Sequence, residues 1–310
     1  MPQATREIKR RIRSIKNTRQ ITKAMELVSA AKMRRAVANV LATRTYANLG
    51  WELLAELSKK TPTEDHSLLN QVTGTNRIAV LVVSSNRGLC AGFNNQLSSR
   101  VQKYIKKTVG NSETKVELIT LGKKGRDLMW RAGFDIVAEF DKPDVTSKLE
   151  QVTAVAKMLV ADYLAGKYDK IIMAYTDFIS PITQKSTLKQ LLPIETKQDP
   201  ELGYAKVHHI PVEVVDKKLE NNFDFEYIFE PSPAEVLENL LPRLLEVQVY
   251  QAVLESDASE HSSRMLAMRN ASDAAKDMID SLTLAFNQAR QASITAELAD
   301  ITGGRVAVGG

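Results

Sequence analysis

Residues 4 to about 58 keep one helical pattern, and no other feature of the sequence restricts its fold so strongly. Inside it, "RQITKAMELVSAAKMRRA" (residues 19 to 36) holds neither Gly nor Pro and is built largely from Ala, Met, Leu, Lys and Arg, all good helix formers. At ~1.5 Å of rise per residue the pattern amounts to about 80 Å of helix, longer than a globular core needs. Ile8, Ile12, Ile15, Ile21, Met25 and Val28 mark an apolar stripe that drifts around its surface. Ala24, Met25, Leu27, Val28, Ala30 and Ala31 point in nearly every direction, and a helix apolar all round must be enclosed by protein or lipid. The basic ends exclude lipid.

Its partner is the other end of the chain. From Pro233 to about Ile301 the pattern is helical again, with Pro242 expected to kink it near its start. Met265, Met268, Ser272, Ala275, Ile279, Leu282, Phe286, Ala289, Ser293 and Ala296 follow alternating steps of three and four residues. That mean period implies a left-handed supercoil, and the small residues in the seam allow close approach of a second helix. The spacing predicts an antiparallel coiled coil of the two chain ends.

Between them the texture changes. From Arg77 to about residue 195, apolar runs rich in β-branched residues ("RIAVLVVS", "KVELIT", "FDIVAEF", "DKIIMAYT") alternate with helical stretches at 93–107, 122–132 and 146–165. This rhythm favours a mostly parallel sheet covered by helices. "ITQKSTLKQLLPI" alternates and adds an edge strand, while the polar stretch 196–222, with Pro200 and Pro211, reads as a linker or small insertion. Three segments follow: an N-terminal coiled-coil helix (1–60), a central α/β domain with its linker (61–230) and a C-terminal coiled-coil helix (231–310).

Charge is unevenly placed. Residues 1 to 35 hold eleven Lys and Arg against Glu7 and Glu26, a net +9 within a whole-chain +5, so the remainder sums to −4. A basic stripe is the expected footprint of nucleic-acid binding. The apolar belt inside the basic region, and the lack of aromatics for base stacking, argue against that use. No apolar run approaches the ~18 residues of a membrane span, and the N-terminus lacks the apolar core of a secretory signal. Cys90 is the single cysteine, which excludes an internal disulfide.

Chemical motifs are sparse. "SSNRGLCAGFNN" (84–95) follows a strand and opens a helix, the place where α/β folds bind phosphate, but it has neither G-x-G-x-x-G nor G-K-[ST] spacing. It reads as a tight strand-to-helix turn, as does "LGKKGRD" (121–127). Cys90 reads as a buried thiol, because His66, His208, His209 and His261 fall in no spacing that supplies it a base. His208 and His209 are adjacent and would face apart in helix or strand, so no metal site is assigned. No cofactor is expected.

Three stretches carry a family resemblance. "IKNTRQITKAMELVSAAKMRRA", "NRGLCAGFN" and "FNQARQASITAELADITGG" closely resemble the γ subunits of F-type ATP synthases. The resemblance implies an α/β fold of a particular kind: a long antiparallel coiled coil of the terminal helices with an inserted Rossmann-like α/β domain. It implies a non-catalytic shaft that turns inside the ring of α and β subunits, stands on the membrane c-ring, and meets the ε subunit. The complex would then be peripheral to the cytoplasmic face of a bacterial membrane. It further implies contact with the α/β ring at Lys23, Met25, Arg34, Arg35, Arg290, Gln291 and Thr295, and a c-ring foot at Tyr227 and Glu230 in "EYIFEPSP". Met265, Met268, Ala275, Ile279, Leu282 and Phe286 would form the coiled-coil seam, with Arg264 also facing the N-terminal helix. Family members often carry Asp where this chain has Asn86. Two rival readings are a nucleotide-binding α/β enzyme and a basic coiled-coil adaptor for nucleic acid.

Overall fold

A computed structural model describes residues 3–60, 68–69, 74–109, 114–194 and 230–308. The chain divides into two compact units, Met1–Ala30 with Arg264–Gly310, and Ala31–Ser263. Two long helices, α1 (Gln3–Lys60) and α5 (Pro233–Val308), contribute to both, and α5 runs on as one helix through Pro242.

The larger unit is built on a five-stranded sheet of β1 (Arg77–Val83), β2 (Lys115–Leu121), β3 (Ile136–Phe140), β4 (Lys170–Phe178) and β5 (Gln184–Leu192), in the order β3-β2-β1-β4-β5. The first four are parallel, and β5 pairs antiparallel on the edge of β4, where the alternating run had put an edge strand. Between strands lie α2 (Phe93–Val109), α3 (Lys123–Arg131) and α4 (Glu150–Leu164). A central parallel strand is covered on both faces, and this is why "RIAVLVV" is apolar without alternation.

Alternate residues of that strand enter two different cores. Ile78, Val80 and Val82 pack with Leu97, Val101 and Ile105 of α2 and Met129 of α3. Ala79, Leu81 and Val83 face the larger core, with Val155, Leu159 and Tyr163 of α4, Ala36 and Val40 of α1, and Leu241, Leu245, Val249 and Val253 of α5.

The two glycine-bearing turns prove to be partners. Gly122 sits at φ 105°, where side chains are strained, and a Cβ there would overlap the Ser84 carbonyl oxygen. The amides at the start of α3, which could otherwise receive an anion, are taken by the first turn. Lys123 N donates to Asn86 Oδ1 (3.2 Å), Lys124 N to the Ser85 carbonyl (2.9 Å) and Gly125 N to Ser84 Oγ (2.8 Å). Asn86 also donates through Nδ2 to the Lys142 carbonyl at 2.5 Å. An Asp at that position has no donor to offer that carbonyl, a physical reason for Asn here. Cys90 is buried in the same turn, where Asn94 Nδ2 donates to its Sγ at 3.2 Å.

Candidate functional surface

The smaller unit pairs the N-terminal half of α1 with the C-terminal half of α5. Along α5 the burial follows the expected seam. Met268, Ser272, Ala275 and Ile279 are buried, and Met265, Leu282, Phe286, Ala289 and Ser293 are half-buried between exposed positions. Arg264 is enclosed as well. The seam ends at Ser293, because Ala296 is exposed.

On α1 the drifting stripe runs from the enclosed side to the outer one: Ile8, Ile12 and Ile15 are half-buried, Ile21 and Val28 are exposed, and Thr22 and Ser29 take the inner positions there. The row 8, 15, 22, 29 repeats every seven residues, the period that keeps one face toward a partner helix. A register setting Thr22 against Ser272 and Ile15 against Ile279 matches the enclosed positions of the two helices in turn. Several large aliphatic residues nevertheless lie outside. Ile21 is 61% exposed, Leu27 61%, Val28 56%, Leu284 62% and Leu298 58%. A coiled coil that also carries large aliphatic side chains outward is apolar on both its inner and outer surfaces, and such outer patches mark interaction sites.

The residues assigned to the α/β ring fall on this surface or on the continuation of its helices. In the smaller unit, Lys23 is exposed with Nζ 2.9 Å from Glu26 Oε2, and Met25 is half-buried. Arg290, Gln291 and Thr295 are exposed, the Thr295 hydroxyl donating to the Gln291 carbonyl at 3.0 Å. In the larger unit, Arg34 and Arg35 are exposed, and so is Glu230 just before α5. Tyr227 lies outside the described residues.

Within the larger unit α5 does something the sequence reading missed. From Leu244 to Ser262 it is buried all round, yet its sequence there is "LLEVQVYQAVLESDASEHS". Direction is set inside this unit by Thr43, whose hydroxyl donates to Gln251 Oε1 at 2.6 Å, and by Gly50, where a Cβ would overlap Leu244. Seven residues forward in α1 are seven back in α5, so the helices are antiparallel.

In doubly wound sheets, ligands bind outside the carboxyl ends of the strands, where the strand order reverses. Here that reversal lies between β1 and β4. Helix α5 occupies it. Ser256 Oγ reaches the Val83 carbonyl at 3.5 Å, and Ser259 Oγ donates to the Thr176 carbonyl at 3.1 Å. The nearby ion cluster is fully enclosed: Lys142 Nζ stands 2.7 Å from Asp257 Oδ1 and 2.7 Å from Glu260 Oε2. Burial alone would lower the Lys142 pKa, but the two carboxylates outweigh it and hold the ammonium well above its ordinary range. Among the described residues, no group of His, Cys, Asp and Glu is placed to hold a metal ion, and no helix is long and apolar enough to cross a membrane.

A second buried cluster joins α5 to the sheet edge. Burial first, and then the Asp177 carboxylate, push Glu255 up to about 8. Burial also disfavours charge on Asp177, but Lys189, a hydrogen bond with Glu255 and the Thr187 hydroxyl (3.0 Å) keep it below the usual range. Tyr175 of β4, Lys189 and Thr187 of β5, and Gln251 of α5, whose Nε2 donates to Glu255 at 3.2 Å, are the groups around the pair. A folded-state pKa of about 8 against an ordinary 4.5 means the folded chain keeps a proton the unfolded chain releases between those values. Stability from this group is therefore complete below pH ~4.5 and falls as pH rises through about 8, by at most about 1.4 kcal/mol per unit. Glu255→Gln keeps the shape and a donor toward Asp177. Relative to wild type it is expected to gain on the order of 3 kcal/mol between pH 5 and pH 8. Urea midpoints at pH 5, 6.5 and 8 measure this, and a difference that stays constant with pH contradicts the assignment.

Comparison with known proteins agrees with this architecture. A family model described as ATP synthase matches residues 4–308. The chain is 42% identical to the ATP synthase gamma chain of Chloroflexus aurantiacus over 98% of its own length and 99% of that relative. It is 41% identical to that of Roseiflexus castenholzii, covering 98% of each. The structure is similar to a chain of the Euglena gracilis mitochondrial ATP synthase in an OSCP/F1/c-ring assembly, with a TM-score of 0.64 at 18% identity over 98% of this chain and 94% of that one. A chain from the central stalk and c-ring of the Tetrahymena thermophila mitochondrial ATP synthase gives 0.56 at 21% identity, over 81% of this chain and 99% of that one. At these identities the structural likeness speaks to fold.

Proposed function

Because the chain belongs to the ATP synthase gamma-chain family, we propose that it is the non-catalytic central shaft of an F-type complex, carrying rotation between the membrane c-ring and a catalytic ring of α and β subunits. It is a subunit of an ATP-synthesising, membrane-associated complex. The reading locates it at the cytoplasmic face of a bacterial membrane, with the ε subunit as a further neighbour.

The observation that carries the reading is the outward apolar surface of the coiled coil. Ile21, Leu27 and Val28 are exposed on the outer face, which suits a helix pair housed in a protein sleeve. Apolar contacts have no preferred direction, so such a surface can pass from one subunit to the next without locking. The exposed Lys23, Arg34 and Arg35 supply charges that acidic loops of the ring can meet in turn, with Met25 at the edge of the seam. Glu230 and Tyr227 belong to the foot on the c-ring. The rival reading as a nucleotide-binding enzyme is disfavoured by α5, which fills the ligand crevice of the sheet.

Arg290 and Gln291 lie beside the seam residue Ala289 and face solvent, and Thr295 follows one turn later. A contact from Arg290 to the ring can affect rotation only if it forms at some angles and breaks at others, since uniform binding leaves the barrier between steps unchanged. Arg290→Ala is expected to lower steady-state ATP turnover of the reconstituted complex by about tenfold, equivalent to ~1.4 kcal/mol, with assembly intact. Normal turnover in a fully assembled variant complex removes Arg290 from the contact set.

A further inference from the structure

We propose that residues 256–263 of α5 form a collar in which the α/β unit grips the shaft helix against turning about its own axis. This rests on the shaft reading above.

The collar is a property of direction. Ser256 reaches the Val83 carbonyl at the end of β1. Asp257 accepts from Thr146 N at 2.6 Å and pairs with Lys142. Ser259 donates to the Thr176 carbonyl on β4, and Glu260 pairs with Lys142. His261 Nε2 is 2.7 Å from the Asp144 carbonyl, Ser262 donates to the Pro181 carbonyl at 2.6 Å, and Ser263 donates to Gln184 Oε1 at 3.1 Å. Successive residues of an α-helix are turned by about 100°, so these seven positions leave no gap wider than about 100° around the helix. Their partners come from β1, β4, the segment after β3, the β4–β5 turn and the start of β5.

A helix held on one face by apolar contacts resists separation but not small turns, because burial is non-directional. Hydrogen bonds and ion pairs are directional, and weaken steeply when bent. A full ring of them opposes turning in either sense. Ser and Asp are indifferent helix formers in a helix interior, where their side chains compete for the backbone. "ESDASEHSS" is therefore costly unless those side chains have fixed partners, and here they do. The collar also stands immediately before Arg264, where α5 passes into the coiled-coil unit.

The test is torsional. In the reconstituted complex with the catalytic ring immobilised and a bead fixed to the α/β unit, angular fluctuation of the bead is recorded between steps. Ser259→Ala, Ser262→Ala and Ser263→Ala together are expected to raise the angular variance at least twofold. An unchanged variance overturns the collar. A second chain carries Cys90→Ser, Gln184→Cys and Ser263→Cys, joined by a short thiol crosslinker. A gripped helix loses nothing by being tied, so ATP-driven rotation should continue at the rate of the uncrosslinked chain. If crosslinking stops rotation, α5 must turn within the unit and the collar is wrong. Where the triple alanine chain does not assemble, the crosslinked chain decides alone. A wild-type chain that does not rotate at all defeats the shaft reading instead.

Discussion

Lys142→Met should cost the folded chain about 3–5 kcal/mol, because it leaves Asp257 and Glu260 enclosed without their cation. Both carboxylates stand 2.7 Å from the ammonium, and Lys142 and Asp257 are almost completely sealed from solvent. Methionine fills much of the volume, so lost packing contributes little and the penalty is electrostatic. The partner amide of Thr146, 2.6 Å from Asp257, supports one carboxylate only in part. Adding Asp257→Asn and Glu260→Gln to Lys142→Met removes the stranded charges and should recover more than half of the loss. Urea unfolding of the three chains, with the slope checked for constancy, measures both effects. A single-variant loss below about 1 kcal/mol would falsify the view that this cluster is a closed ion pair.

Gly122→Ala should cost nearly as much, about 3 kcal/mol or more, through the backbone alone. At φ 105° an alanine is strained wherever it sits, and here its Cβ also meets the carbonyl of Ser84. That residue cannot retreat cheaply. Its amide donates to the Leu121 carbonyl at 2.8 Å, and its hydroxyl accepts from Gly125 N while donating to the Gly122 carbonyl at 3.0 Å. Gly133 provides the control, with φ 83° and nothing near the added carbon. Gly133→Ala should lose only the strain of the dihedral, about 1 kcal/mol. Equal urea midpoints for the two variants would mean that the turns around Ser84 and Gly122 yield freely.

The bonds around Gly122 bear on the second glycine-bearing turn as a place for phosphate. Both turns have a strand, a glycine and a helix start, and the second also has Lys123 and Lys124. The α3 amides that would meet an anion are spent on the first turn, through Ser84, Ser85 and Asn86. The sequence spacing lacked the phosphate-loop motifs but could not show this capping, because the turns lie some 40 residues apart.

Much of the architecture was legible in one dimension. Period 3.5 in the last third predicted a seam from Met265 to Ala296, which the burial of α5 follows as far as Ser293, and period 2 in "ITQKSTLKQLLPI" identified the edge strand. Apolar runs of β-branched residues marked the four parallel strands. All of these are local patterns, in which neighbours within a few residues carry the information. What the sequence left open was which side of α1 faces inward. Ile21 and Val28 are the more apolar choice, yet Thr22 and Ser29 are enclosed, because the seven-residue row that meets α5 passes through them. Hydrophobicity ranks side chains, whereas the facing helix decides which row can approach closely.

The burial of α5 between Leu244 and Ser262 was likewise decided by tertiary structure. Its serines and acids resemble a solvated helix in sequence, and partners more than 70 residues away, such as the carbonyls of Thr176 and Pro181 and the ammonium of Lys142, make the enclosure of Ser259, Ser262 and Asp257 tolerable. The sequence by itself determined the lengths of the elements and the faces with a strong apolar period. The fold alone decided where polar groups could be buried, since a hydrogen bond or ion pair needs both members brought together, and one-dimensional spacing records only one of them.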